Sequence, residues 1–167
     1  LTPESVHILV SMGHEVLIQR GAGNNAYYGD TEYADAGAMI VETLGEVYTA
    51  DVVLKATSVS AGDTVYMHDR QVILSPLKLC DMRKDAITEM MQKKVTAVGF
   101  DILKDGEGYY PVVRIMSEIA GNSAIMIASE YLNNSRGGKG IVLGGISGIT
   151  PAEIVILGAG TLGEFAA

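Results

Sequence analysis

The residues with the clearest chemical capacity lie near the end of the chain. There Ile154-Val155-Ile156-Leu157 runs into Gly158-Ala159-Gly160-Thr161-Leu162-Gly163 and then Glu164-Phe165-Ala166-Ala167. An apolar strand, a G-x-G-x-x-G turn and a helix opening together form a dinucleotide-binding fingerprint. Gly158 permits the tight turn, Gly160 lets a pyrophosphate approach the backbone, and Gly163 lets helix and strand pack closely. The helix start offers N–H groups and the positive end of its dipole to the phosphates. An ordinary glycine-rich βα turn has the same letters. The acidic ribose ligand that would separate the two is expected about twenty residues further on, past Ala167.

A second group is Lys55, Thr57 and Lys78. Lys55 and Thr57 stand two apart at the end of Asp51-Val52-Val53-Leu54-Lys55, so they share a strand face. A lysine at the carboxyl end of a parallel strand suits an anionic ligand. It suits equally a side chain that snorkels to solvent, and residue type alone favours the latter. Lys78 also follows a strand and is expected to face the same cleft. Ser75-Pro76-Leu77-Lys78 matches S-x-x-K in form but lacks the S-D-N and K-T-G partners of that chemistry, so the match is set aside. His7, His14 and His68 have no carboxylate or serine at an informative spacing and read as solvated structural residues. Asn133-Asn134-Ser135 is a glycosylation sequon by letter only.

The elements that must position these residues follow an α-β alternation. Thr2-Pro3-Glu4 reads as an N-cap, a first-turn proline and a first-turn acid, and Gly13 as the stop. Strands are expected at 16–18, 39–41, 51–55, 72–74 and 95–100. Helices are expected from Asp30 to Ala36, around Glu42 to Tyr48, from Met82 to Gln92, and from Met116 to about Leu132. Short connections between alternating elements signal α/β architecture: a Rossmann-like parallel sheet flanked by helices. Past Asn133 the texture turns to glycine-rich strands. The expected organisation is a substrate domain over 1–130, then over 131–167 the truncated start of a second Rossmann domain.

With 167 residues, 48% apolar and 19% charged, the chain can bury a sizeable core. Its net charge of −8 argues against nucleic-acid binding, which needs a basic footprint. The single cysteine, Cys80, closes no intrachain disulfide, and no Cys/His spacing suits a metal site. A reducing, cytoplasmic setting fits. The most apolar stretch, 141–163, is interrupted by Pro151, Glu153 and repeated glycines, so it reads as short strands and no membrane span is expected. No signal peptide is read at the start. Leu1 in place of Met and Ala167 in mid-pattern read as cut ends, so the chain is expected to be a fragment.

Several segments resemble the alanine dehydrogenase and pyridine nucleotide transhydrogenase family. These are Leu1-Thr2-Pro3, Gly13-His14-Glu15-Val16 with Gly21-Ala22-Gly23, and Ala50 to Lys55. They continue with Met116-Ser117-Glu118-Ile119-Ala120-Gly121, Gly137 to Gly140 through Gly144-Gly145, and Val155 to Gly160. The similarity runs along essentially the whole chain, and the 116–121 segment is closest to alanine dehydrogenases. The resemblance implies a substrate domain and an NAD-binding Rossmann domain with the active site in the cleft between them. It also implies a cytoplasmic homo-oligomer, a hexamer, that converts an amino acid to its 2-oxo acid: L-alanine to pyruvate and ammonia. By position, Ser117, Gly158, Ala159, Gly160 and Gly163 would bind NAD.

Three departures stand out. The family's substrate arginine would precede Leu1. Its Lys-x-Lys-Glu-Pro reads here Lys55-Ala56-Thr57-Ser58-Val59, and its catalytic histidine is replaced by Lys78. The expectation is that Lys55 and Lys78 carry the catalytic site in altered roles. The alternatives are the nucleotide-binding component of a proton-translocating transhydrogenase, which needs neither group, and an NAD-binding paralogue without turnover. The fragment alone is expected to be inactive.

Overall fold

The computed structural model describes residues 1–167. Helix α1 (Pro3–Ser11) starts as its residues dictate: Thr2 Oγ1 accepts from the Ser5 N–H at 3.3 Å and Pro3 occupies the first turn. Strand β1 (Leu17–Gln19), helix α2 (Asp30–Asp35) and strand β2 (Met39–Val41) follow, and β1 pairs with β2 in parallel, Ile18 opposite Ile40. Helix α3 (Leu44–Val47) begins at Thr43, whose N–H donates to Glu46 Oε2 while Thr43 Oγ1 accepts from the Glu46 N–H, a reciprocal cap.

A second, three-stranded parallel sheet has β3 (Val52–Leu54), β4 (Val72–Ser75) and β5 (Thr96–Gly99) in that spatial order. Its crossovers hold the short helix α4 (Ala61–Thr64) and α5 (Lys84–Gln92). As central strand, β4 alternates half-buried and buried residues, with Ile73 and Ser75 fully buried. One core gathers Val6, Val16, Ile18, Tyr33 and Ala38 around β1 and β2. Another gathers Tyr48, Val53, Val59, Met67, Ile73 and Met90 around β3 and β4. Each fully buried Val, Ile or Met side chain among these contributes about 1.5–3 kcal/mol.

The chain divides into two compact units, 1–100 and 101–167. The second holds helix α6 (Pro111–Leu132) and helix α7 (Thr161–Ala166), packed on one another. Helix α6 begins five residues before the expected Met116, because Pro111 is accepted in its first turn. The expected strand 154–157 and the glycine-rich strands before it are corrected: no residue from 101 onward is in a strand. A strand exists through hydrogen bonds to a neighbour, and this unit supplies none. No helix is long and apolar enough to cross a membrane.

Candidate functional site

The parallel register of β3, β4 and β5 puts their carboxyl ends on one edge of the sheet, as the alternating pattern predicted. Lys55 is the first residue past β3; its N–H donates to the Leu74 carbonyl at 2.8 Å and so continues the ladder. Its side chain does not run out to solvent. Lys55 Nζ donates to Asp63 Oδ2 at 2.5 Å, with the lysine side chain 25% exposed and the aspartate 4%. The same oxygen accepts from the Ser60 N–H and the Ser60 hydroxyl, each at 2.7 Å. Burial acts most strongly on the Asp63 carboxyl and pushes it up. The donors on Lys55 and Ser60 together outweigh that, so the group sits below the usual aspartate value.

Behind Asp63 lies Tyr48, 2% exposed, its ring stacked on Tyr66 with centroids 6.2 Å apart. Its hydroxyl is buried and makes no hydrogen bond of acceptable geometry. Burial first, then the nearby negative charge of Asp63, pushes the phenol well above the usual tyrosine range. Ser75 Oγ, at the end of β4, is likewise buried without a partner.

Lys78 lies three residues beyond β4 with φ at +42°, and its carbonyl accepts from the Asp81 N–H at 2.8 Å. It lines a cavity of about 240 Å³ with Ser58, Ser60, Asp81 and Arg83. Arg83 is itself paired with Asp85, Nη2 to Oδ2 at 2.7 Å. Ser60 therefore joins the two lysines' surroundings: its backbone and hydroxyl hold Lys55's partner, and its side wall belongs to the cavity beside Lys78. Lys55 does not line that cavity, and Thr57 is exposed. Asp63 and Tyr48 went unnoticed in the sequence. The signal that could have found Asp63 is Ser60-x-x-Asp63, the capping pattern.

The three histidines are not part of this group. His7 and His14 are exposed, and His68 sits with Nε2 3.2 Å from the Ala50 carbonyl.

In the second unit the three glycines of the terminal turn differ sharply. Gly158 has φ at +122°, a conformation L side chains rarely adopt. At Gly163 an added Cβ would collide with the Gly158 carbonyl oxygen, so α7 packs down on its own entry turn. Gly160 has extended backbone, φ −83° and ψ −178°, and a Cβ there would meet nothing within 4 Å. The middle glycine thus faces open space between one glycine set by its backbone angle and one set by its contact, which leaves its backbone N–H accessible to a phosphate group. Ser117 lies half-buried on α6, one turn before Gly121. At Gly121 a Cβ would lie 2.8 Å from Phe165 Cβ, so Ser117 shares the α6 face that meets α7. Ala159 is exposed. A separate apolar groove of about 620 Å³, between α6 and the 140–155 segment, is walled by Ile125, Leu132, Ile141 and Ile154 among others.

Residues 1–120 match the family model described as alanine dehydrogenase/PNT, N-terminal domain, and residues 124–167 match alanine dehydrogenase/PNT, C-terminal domain. The alanine dehydrogenase of Bilophila wadsworthia is 36% identical over 168 residues, covering 100% of this chain and 44% of its own length. That of Methanococcus maripaludis is 34% identical over 168 residues, covering 100% and 45%. A solved L-alanine dehydrogenase superimposes with a TM-score of 0.93 at 30% identity, over 99% of this chain and 46% of its own. The transhydrogenase from Sinorhizobium meliloti gives 0.68 at 25% identity, over 77% and 39%. This chain thus spans a little under half the length of the curated relatives it matches.

Proposed function

This chain belongs to the alanine dehydrogenase/pyridine nucleotide transhydrogenase family, and from that premise we propose that the protein carrying it is an NAD-dependent amino-acid dehydrogenase. The reaction is L-alanine, NAD and water to pyruvate, ammonium, reduced NAD and a proton. The observation that carries the nucleotide half is the terminal turn, where Gly160 stands before open space with no structural demand for a glycine. NAD when bound supplies acceptance of the hydride from the substrate's α-carbon. Gly158, Ala159, Gly160 and Gly163 hold its pyrophosphate, and Ser117 contacts it from α6.

Residues 1–130 form the substrate domain and 131–167 begin the nucleotide domain; the junction between the two family matches falls inside α6. Lys55 donates to the substrate carboxylate, and Lys78 polarises the carbonyl of the oxo acid. A cytoplasmic homo-oligomer, hexameric by resemblance, completes the reading. Its test is the appearance of reduced nicotinamide, followed by absorbance, when L-alanine is added to the protein with NAD. Binding of NAD without turnover leaves a non-catalytic paralogue.

A second reading, the nucleotide-binding component of a transhydrogenase, is favoured by Thr57 and Lys78 standing where the dehydrogenase pattern has lysine and histidine, and by the likeness to the Sinorhizobium meliloti protein. Hydride exchange between NAD(H) and NADP(H), with none from L-alanine, identifies it.

A further inference from the structure

We propose that Asp63 is a positioning residue: it fixes the Lys55 ammonium at the carboxyl edge of the β3–β4–β5 sheet, where that ammonium donates to a small carboxylate. One carboxylate oxygen takes three donors, Lys55 Nζ, the Ser60 N–H and the Ser60 hydroxyl. The aspartate is 4% exposed while the lysine retains 25%. A lysine near solvent ordinarily lays its stem along apolar surface and keeps its ammonium in water. This one is turned onto a buried acid whose own position is set by the first turn of α4. The location of Nζ is therefore a property of the helix start and not of four freely rotating bonds.

Fixing a donor before the ligand arrives removes an ordering cost from binding. The pair is also electrically neutral, so a carboxylate meets a placed hydrogen-bond donor and not an uncompensated charge. The carboxylate's identity rests on the dehydrogenase reading; the tether does not.

The test is labelling of Lys55 by an amine-reactive reagent, read by peptide mass spectrometry with and without pyruvate, in the protein that carries this chain, beside NAD reduction with L-alanine. In the wild type Lys55 labels slowly and pyruvate slows it further. In Asp63→Asn labelling accelerates about tenfold, the worth of one charge-assisted hydrogen bond, and protection by pyruvate is lost. Asp63→Glu keeps the charge but displaces Nζ by a methylene, so labelling stays slow while protection weakens. It carries the test if the Asn variant does not give the wild-type circular dichroism spectrum. Slow labelling in Asp63→Asn, or full protection in either variant, overturns the proposal. So does a wild type that reduces NAD with L-alanine but whose Lys55 pyruvate does not protect. Protection in a protein that reduces no NAD supports the tether and removes only the dehydrogenase reading.

Discussion

Between Leu1 and Phe100 the chain buries fourteen apolar side chains in and around two cores, whereas from Asp101 onward the only buried residue is Gly121. In the later region Leu157 is 95% exposed, Val155 74% and Met126 73%. Both regions are rich in Ile, Val, Leu and Met. Apolar content therefore does not tell a core from a face. What separates them is whether enough elements are present to layer one apolar surface on another. Residues 1–100 bring five strands and five helices. Residues 101–167 bring two helices, which contact through a glycine, and an extended segment with no strand beside it.

The contrast can be broken most directly by truncating one residue on each side. Ile73→Ala, at 0% exposure in the central strand, is expected to lose about 2–5 kcal/mol of stability in urea denaturation. Leu157→Ala is expected to stay within about 0.5 kcal/mol. Equal losses would mean that Leu157 is covered, and the contrast would fail.

The second region does contain close packing at one place, and the glycine turn sharpens that. Gly163→Ala is expected to destabilise by about 1–3 kcal/mol, because its Cβ meets the Gly158 carbonyl. Gly160→Ala should melt with the wild type yet bind NAD at least about tenfold more weakly in calorimetric titration. If Gly160→Ala bound NAD normally, the open space before it would not be a ligand's.

Within the first region the Lys55–Asp63 pair makes a pH-dependent contribution. The Asp63 carboxyl is held below its ordinary value, so its contribution is present above the unfolded-state value of 3.8 and lost as pH falls through the lower folded-state one. Asp63→Asn is expected to cost about 1–3 kcal/mol at neutral pH. It should also remove part of the loss seen between pH 4 and lower in thermal melts. An unchanged acid limb in the variant would contradict the pairing.

The smallest effect is expected at Tyr48→Phe, which removes a buried hydroxyl that has no partner. Stability should stay level or rise by up to about 1 kcal/mol. A clear loss in the same denaturation experiment would show that the hydroxyl is satisfied.

Local signals in the sequence carried far in the first region. Thr2-Pro3 fixes the start of α1, and the runs at 39–41, 52–54, 72–74 and 96–99 are strands in a parallel register. Ile154 to Leu157 has the same kind of residues and is not a strand, because pairing depends on a neighbour that no local pattern encodes. That Lys55 and Lys78, the proposed site residues, follow β3 and β4 was legible from alternation alone. That Lys55 would be turned inward was not, because its partner lies eight residues away in a four-residue helix whose apolar content gives no periodicity. Asp63 was present in the letters only as the last member of a capping pattern.

The three glycines of the terminal turn would respond differently to a side chain. Gly158 is held by its backbone angle and Gly163 by its contact, so replacing either disturbs the turn whether or not a nucleotide is bound. Gly160 has no such constraint. A substitution there would therefore probe the proposed nucleotide contact alone, leaving the turn itself undisturbed.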